Sequence, residues 1–130
     1  MASRSADWLR QSEADLRHAH HARESGGHDW ACFASHQAAE KAVKAVLFGR
    51  GTEPWGYSVT RLLAILRDEG SAVPDALLDA ARLLDRHYIP TRYPDNLPDG
   101  APTDFYRRAD ADEAIDAAEM ILAHCRDQAR

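Results

Sequence analysis

From His28 to Phe48 the chain runs without a proline or glycine. It is apolar over most of a helical circumference through Trp30, Ala31, Phe33, Ala34, Ala38, Ala39, Ala42, Val43, Ala45, Val46 and Leu47. A helix that is apolar nearly all round cannot lie on a surface, so other elements have to surround it. The polar strip of this segment is His36, Glu40 and Lys44 at four-residue spacing, beside Gln37 and Lys41. Glu40 precedes Lys44 in the favourable order. Charge pairs at that spacing are usually surface features, so the strip is expected at the wet edge of the helix, the alternative being a buried polar network. Phe33, Ala38, Ala42 and Val46 are the expected core positions.

The flanking sequence supplies the surrounding elements. Residues 5–24 place Trp8, Leu9, Leu16, Ala19 and Ala22 on one side of a first helix, which Gly26 and Gly27 end. A third helix is expected over 58–69, with Ser58 as its cap and Val59, Leu62, Leu63 and Leu66 as its stripe. Pro74 suits the first turn of a fourth helix carrying Leu77, Ala81, Leu84 and Tyr88. Pro90 should push Ile89 out of helical geometry, ending that helix near His87 or Tyr88. Residues 89–104 hold Pro90, Pro94, Pro98 and Pro102 and are expected to form a long loop without regular helix, the kind of segment that is more often functional or mobile than incidental. Asp110 with Glu113 makes a capping-box-like start to a last helix lined by Ala114, Ala118, Ile121 and Cys125.

Composition agrees. The sequence has 24 Ala and 12 Leu against 4 each of Val, Ile and Thr, which excludes an all-β fold. A chain of 130 residues has room for one core, so a single helical domain over 1–130 is expected: an all-α antiparallel bundle of four to five helices. The net charge of -5 argues against a surface that coats phosphate indiscriminately, although a local basic site could still handle nucleic acid. Cys32 and Cys125 fall inside apolar helical patterns, which suits buried thiols and a reducing compartment better than a disulfide framework. No apolar run reaches membrane-spanning length, and Met1 to Leu9 lacks the apolar stretch of a signal peptide, so a cytoplasmic protein is expected.

Seven histidines invite a metal reading, and His18 with His21 could share a helix face. The spacings that mark metal motifs are absent, so solvated histidines, no metal and no cofactor are expected. The richer cluster is Arg82, Arg86, His87, Tyr88, Arg92 and Tyr93, followed by Asp95. Arginine forks grip phosphate, aromatic rings stack on bases, and histidine moves protons near neutrality. Such a set could hold and cut a phosphodiester. The plainer alternative is that the tyrosines pack the loop while the arginines pair with Asp85 and Asp95.

Trp8-Leu9 with Ala14-Asp15-Leu16, then Gln37-Ala38-Ala39-Glu40-Lys41-Ala42-Val43-Lys44-Ala45, then the run from Leu84 to Asp95, LDRHYIPTRYPD, resemble in order the signature blocks of the HEPN domain, named for higher eukaryotes and prokaryotes nucleotide-binding. The resemblance spans almost the whole chain. It implies a bundle of four to five helices, commonly a homodimer, and prokaryotic members often accompany a minimal nucleotidyltransferase in a toxin–antitoxin pair. Many members are metal-independent ribonucleases with an Arg-x(4–6)-His motif, which Arg82 and His87 match in spacing. Those members usually carry a polar residue just after the Arg, where this chain has Leu83, and relatives often show His where this chain has Tyr57. Two functions follow. One is a nucleotide- or RNA-binding module using Arg86, Arg92, Tyr93 and Asp95, which Leu83 and the overall acidity favour. The other is an endoribonuclease toxin with Arg82 and His87 as catalytic groups. Along an ideal helix the pair would be about 7.5 Å and about 140° apart. They could converge if the helix unwinds near His87, or if two chains of a dimer form a composite cleft.

Overall fold

The computed structural model describes residues 4–129, the side chain of Asn96 excepted; the first three residues of the Met1–Leu9 stretch lie outside it. The order is α1 (Ser5–Glu24), α2 (His28–Gly49), α3 (Val59–Asp68), α4 (Asp75–Asp85), a 3-10 turn (Pro94–Asn96), the single-turn α5 (Pro102–Phe105) and α6 (Arg108–Gln128), with no strand among the described residues. No helix among them is long and apolar enough to cross a membrane.

α1 and α2 turn back on each other through Gly26, whose φ of 86° is a conformation that side chains with a Cβ rarely adopt. Their antiparallel register is fixed by polar groups on α1 meeting α2 in reverse order. The Ser5 hydroxyl donates to the Ala45 carbonyl and that of Ser12 to the Ala38 carbonyl, both at 2.6 Å. The alanines of α2 make this possible, because small side chains let the backbones approach within reach of a serine. α6 runs antiparallel to α1, with Arg23 paired to Asp112 and Arg126 to Glu13. α2 packs against α1, α3, α4 and α6 and is the central helix. One core continues through all five long helices. In α3 it takes up Val59, Leu62, Leu63 and Leu66, all fully buried, each leucine contributing about 1.5–3 kcal/mol of burial.

Four expectations need correcting. The polar strip of α2 is not a wet edge. His36 is fully buried, while Glu40 and Lys44, 2.9 Å apart, and Lys41, 2.6 Å from Asp15 of α1, are mostly covered. Asp15 and Trp8 of α1 cover Lys41 and Lys44, while Asp85, Tyr57 and Tyr88 lie against His36. Phe33 is only half-buried, because it joins a surface cluster of rings instead of the core. The proline-rich segment includes a helical turn after all, since Pro102 sits in the first turn, where its missing N–H costs nothing. The last helix begins two residues before Asp110, which serves from inside the first turn by accepting from the Arg107 amide at 2.9 Å.

Candidate functional site

The C-terminal end of α4, the N-terminal end of α3 and the first half of α2 meet at Asp85. Its carboxylate accepts from the amides of Val59 and Thr60 at 2.9 and 3.0 Å and from the hydroxyls of Thr60 and Ser58 at 2.7 and 3.1 Å, so it caps α3 from another helix. The Ser58 hydroxyl caps the same turn from within by accepting from the Arg61 amide. On the inner side, Nε2 of buried His36 donates to Asp85 Oδ1 at 3.1 Å, while Nδ1 lies 3.2 Å from the Gln37 side-chain nitrogen. Burial pushes the Asp85 carboxyl up, but hydrogen bonds from His36, Thr60 and Val59 outweigh it and bring it down to about 2.

Above this hub lies a ladder of rings. Tyr57 stacks on Tyr88 at 4.0 Å and 9°, Tyr88 lies 5.0 Å from His36 and 6.1 Å from Phe33, and Phe33 meets Trp30 edge-on at 6.1 Å. The ladder ends on Arg92, whose guanidinium sits 3.6 Å over the Trp30 ring and pairs with the largely buried Asp29 at 2.5 Å.

α4 stops at Asp85, two residues before the expected end. His87 is held by a 3-10 bond from its amide to the Leu84 carbonyl. The chain then folds into compact turns instead of a free loop. The fully buried Thr91 donates its hydroxyl to the His87 carbonyl at 2.6 Å, and the amides of Arg92 and Tyr93 both donate to the Ile89 carbonyl. These bonds pair the carbonyls of the turns that follow the helix.

The helix therefore does unwind between Arg82 and His87, yet no hydrogen bond or ion pair joins the two among the described residues. Arg82 is exposed and pairs with Asp79 at 3.1 Å on the outer face of α4. His87 faces inward, its Nδ1 3.3 Å from the Tyr106 hydroxyl. Burial lowers the His87 pKa, reinforced by Arg86 and His36 and opposed by Asp110, so the ring is neutral near pH 7. Tyr106, pushed up to about 12 by burial, keeps its proton. Arg86, Tyr93 and Asp95 are exposed at the outer side of the same turns, and Arg92 is their inner anchor. Of the plainer alternative, Tyr88 does pack while Tyr93 does not, and Asp85 serves α3 and His36 instead of an arginine. Leu83 packs against the core, which explains an apolar residue next to Arg82. Sequence reasoning misses Asp29 and His36 as partners of the α4 exit. The one available signal is a histidine inside an otherwise apolar helix. Both cysteines are free and buried, with burial pushing each thiol up to about 12, so neither is a nucleophile.

Residues 5–128 match the HEPN domain. The chain belongs to the HEPN family. Among solved structures, this HEPN chain is similar to TT1696 from Thermus thermophilus, at 46% identity over 98% of this chain and 99% of that one, with a TM-score of 0.95. An archaeal HEPN homologue, ST0689, is 40% identical over the whole of both chains, with a TM-score of 0.84. An HEPN domain protein from Thermotoga maritima is also 40% identical, over 93% of this chain and 95% of that one, at a TM-score of 0.75. No curated protein matches.

Proposed function

We propose that this HEPN protein is a cytoplasmic nucleotide- or RNA-binding component that works as a homodimer and pairs with a minimal nucleotidyltransferase in a toxin–antitoxin arrangement. The observation that carries the binding role is the exposed trio of Arg86, Tyr93 and Asp95 on turns that Thr91 and Arg92 hold rigid. Arg86 makes no ion pair among the described residues and is available to a phosphate, Tyr93 offers a ring face to a base, and Asp95 offers an acceptor to base or ribose donors. Arg92 contributes by anchoring the turn that carries Tyr93 to Asp29 and the Trp30 ring.

A second reading, the metal-independent endoribonuclease, is favoured by the unwinding of α4 between Arg82 and His87, which leaves His87 on a turn where burial lowers its pKa and favours the proton-accepting form. In that reaction His87 takes the proton of a ribose 2′-hydroxyl, the oxygen attacks phosphorus, and the P–O5′ bond breaks with the 5′-oxygen taking a proton from water. The products end in a 2′,3′-cyclic phosphate and a 5′-hydroxyl, with Arg82 stabilising the phosphorane. Labelled single-stranded RNA in EDTA separates the readings. Fluorescence anisotropy should show binding that falls about seventyfold or more in the Arg86→Ala, Tyr93→Ala double variant, the loss expected for one charged hydrogen bond and one stacked base. Intact RNA supports the binding role, and cyclic-phosphate ends that vanish in His87→Ala support the ribonuclease. Wild-type affinity in the folded double variant would overturn the patch.

A further inference from the structure

Trp55 is 79% exposed, and Tyr57, two residues on, is 47% exposed yet held rigid by its parallel stack on Tyr88. Gly56 between them has a φ of 84°, and the reversal lets both rings line one open cleft of about 510 Å³ together with Glu53, Ser58, Arg61 and Ile65. The charged groups of the cleft are uncommitted. Among the described residues, neither the Glu53 carboxylate nor the Arg61 guanidinium makes an ion pair or side-chain hydrogen bond, with each other or with any other group. The first amides of α3, which open beside the cleft, are already taken by Asp85 and Ser58, so an anion there would be met by the Arg61 side chain and not by the helix terminus.

Two exposed aromatic rings, a carboxylate and a guanidinium lining one cleft describe a flat ligand with a donor edge and an anionic tail. Guanine fits. Its N1–H and N2–H2 donors stand side by side, as the two oxygens of a carboxylate require, whereas adenine would set its N1 acceptor against Glu53. We propose that the cleft between Trp55 and Tyr57 binds a guanine nucleotide, the base stacked on the rings, its donor edge on Glu53 and its phosphate on Arg61. This cleft is separate from the Arg86–Tyr93 surface and goes beyond the role proposed for it, the two being linked only through the Tyr57–Tyr88 stack. A free nucleotide and a guanine within single-stranded RNA carry the same chemistry.

Isothermal titration calorimetry of the full chain with GMP, AMP, guanosine and pentaribonucleotides of uridine holding one central guanine or adenine tests it. GMP should bind at least tenfold more tightly than AMP, and more tightly than guanosine. Glu53→Gln should erase the preference for guanine over adenine, Arg61→Ala should close the gap between GMP and guanosine, and Trp55→Ala should weaken GMP at least tenfold. Tighter binding of the guanine pentamer than of GMP identifies RNA as the source, and the reverse identifies the free nucleotide; both support the site. Equal affinity for GMP and AMP, no binding of GMP or the guanine pentamer, or wild-type binding by a folded Trp55→Ala variant overturns it. Loss of RNA binding confined to the Arg86, Tyr93 variant reports on the other surface, and loss of base preference in Glu53→Gln reports on this one.

Discussion

An aspartate as the last residue of its own helix is electrostatically misplaced, because the carbonyl end of a helix carries partial negative charge. Asp85 gains instead from the positive end of α3, where two amides and two hydroxyls converge on it, and from the Nε2–H of His36. Because its folded pKa of about 2 lies below its ordinary value of 3.8, the ionised carboxylate stabilises the fold at every pH above the ordinary value. That stability fades as pH falls from about 4 towards 2. The shift corresponds to about 2 kcal/mol. Urea denaturation should therefore show Asp85→Asn less stable than wild type by about that amount at pH 7, with the two converging near pH 2. A constant difference from pH 7 to 2 would remove the carboxylate's charge from the account. Nothing local in the sequence exposes this role, since the groups that bind Asp85 lie on α2 and at the start of α3, and an aspartate beside arginines reads first as their partner. The same holds for Asp29 and Arg92, 63 residues apart, which meet only once α2 is packed.

At the scale of elements the chain is far more legible, because each long helix carries its own signals. Gly26 ends one and Gly70 another, Ser58 caps α3, and the apolar stripes of α3 and α4 become buried, except for Tyr88, which lies beyond the end of α4 and is half-buried. Boundaries shift where a tertiary contact competes with local preference. α4 ends early as Thr91 folds back on the His87 carbonyl, and α6 starts early because Asp110 can reach the Arg107 amide from inside the helix. The central position of α2 follows from its apolar circumference, while the burial of its polar strip requires α1 to close over Lys41 and Lys44 and the α4 exit to close over His36. Val46, 2% exposed, tests that placement. A carboxylate there has no partner, and burying it costs several kcal/mol against a total of about 5–15 kcal/mol, so Val46→Asp should lose its cooperative thermal transition by circular dichroism. An unchanged melting temperature would mean that this face of α2 is open to solvent.

For the whole molecule, the described surface keeps Trp30, Trp55, Tyr57, Ile89, Tyr93, Phe105 and Met120 exposed, more large apolar groups than a small bundle needs to leave in water. Closed twofold pairing is the commonest way to cover such surface, and it bears directly on the ribonuclease reading. Within one chain Arg82 turns out to Asp79 and His87 turns in to Tyr106, so we propose that a cleft using both would draw Arg82 from one protomer and His87 from its partner. Light scattering should accordingly return twice the 14.5 kDa chain mass. A monomer mass at high concentration would exclude the shared cleft. If the protein cuts RNA, Arg82→Ala and His87→Ala chains, each inactive alone, should complement on co-refolding at equal amounts. Half of the dimers are then mixed and each mixed dimer holds one intact cleft of two, which gives about a quarter of wild-type cleavage. No recovery in a mixture shown to exchange protomers would confine both groups to one chain, and the divergence of Arg82 and His87 would then weigh against catalysis by that pair.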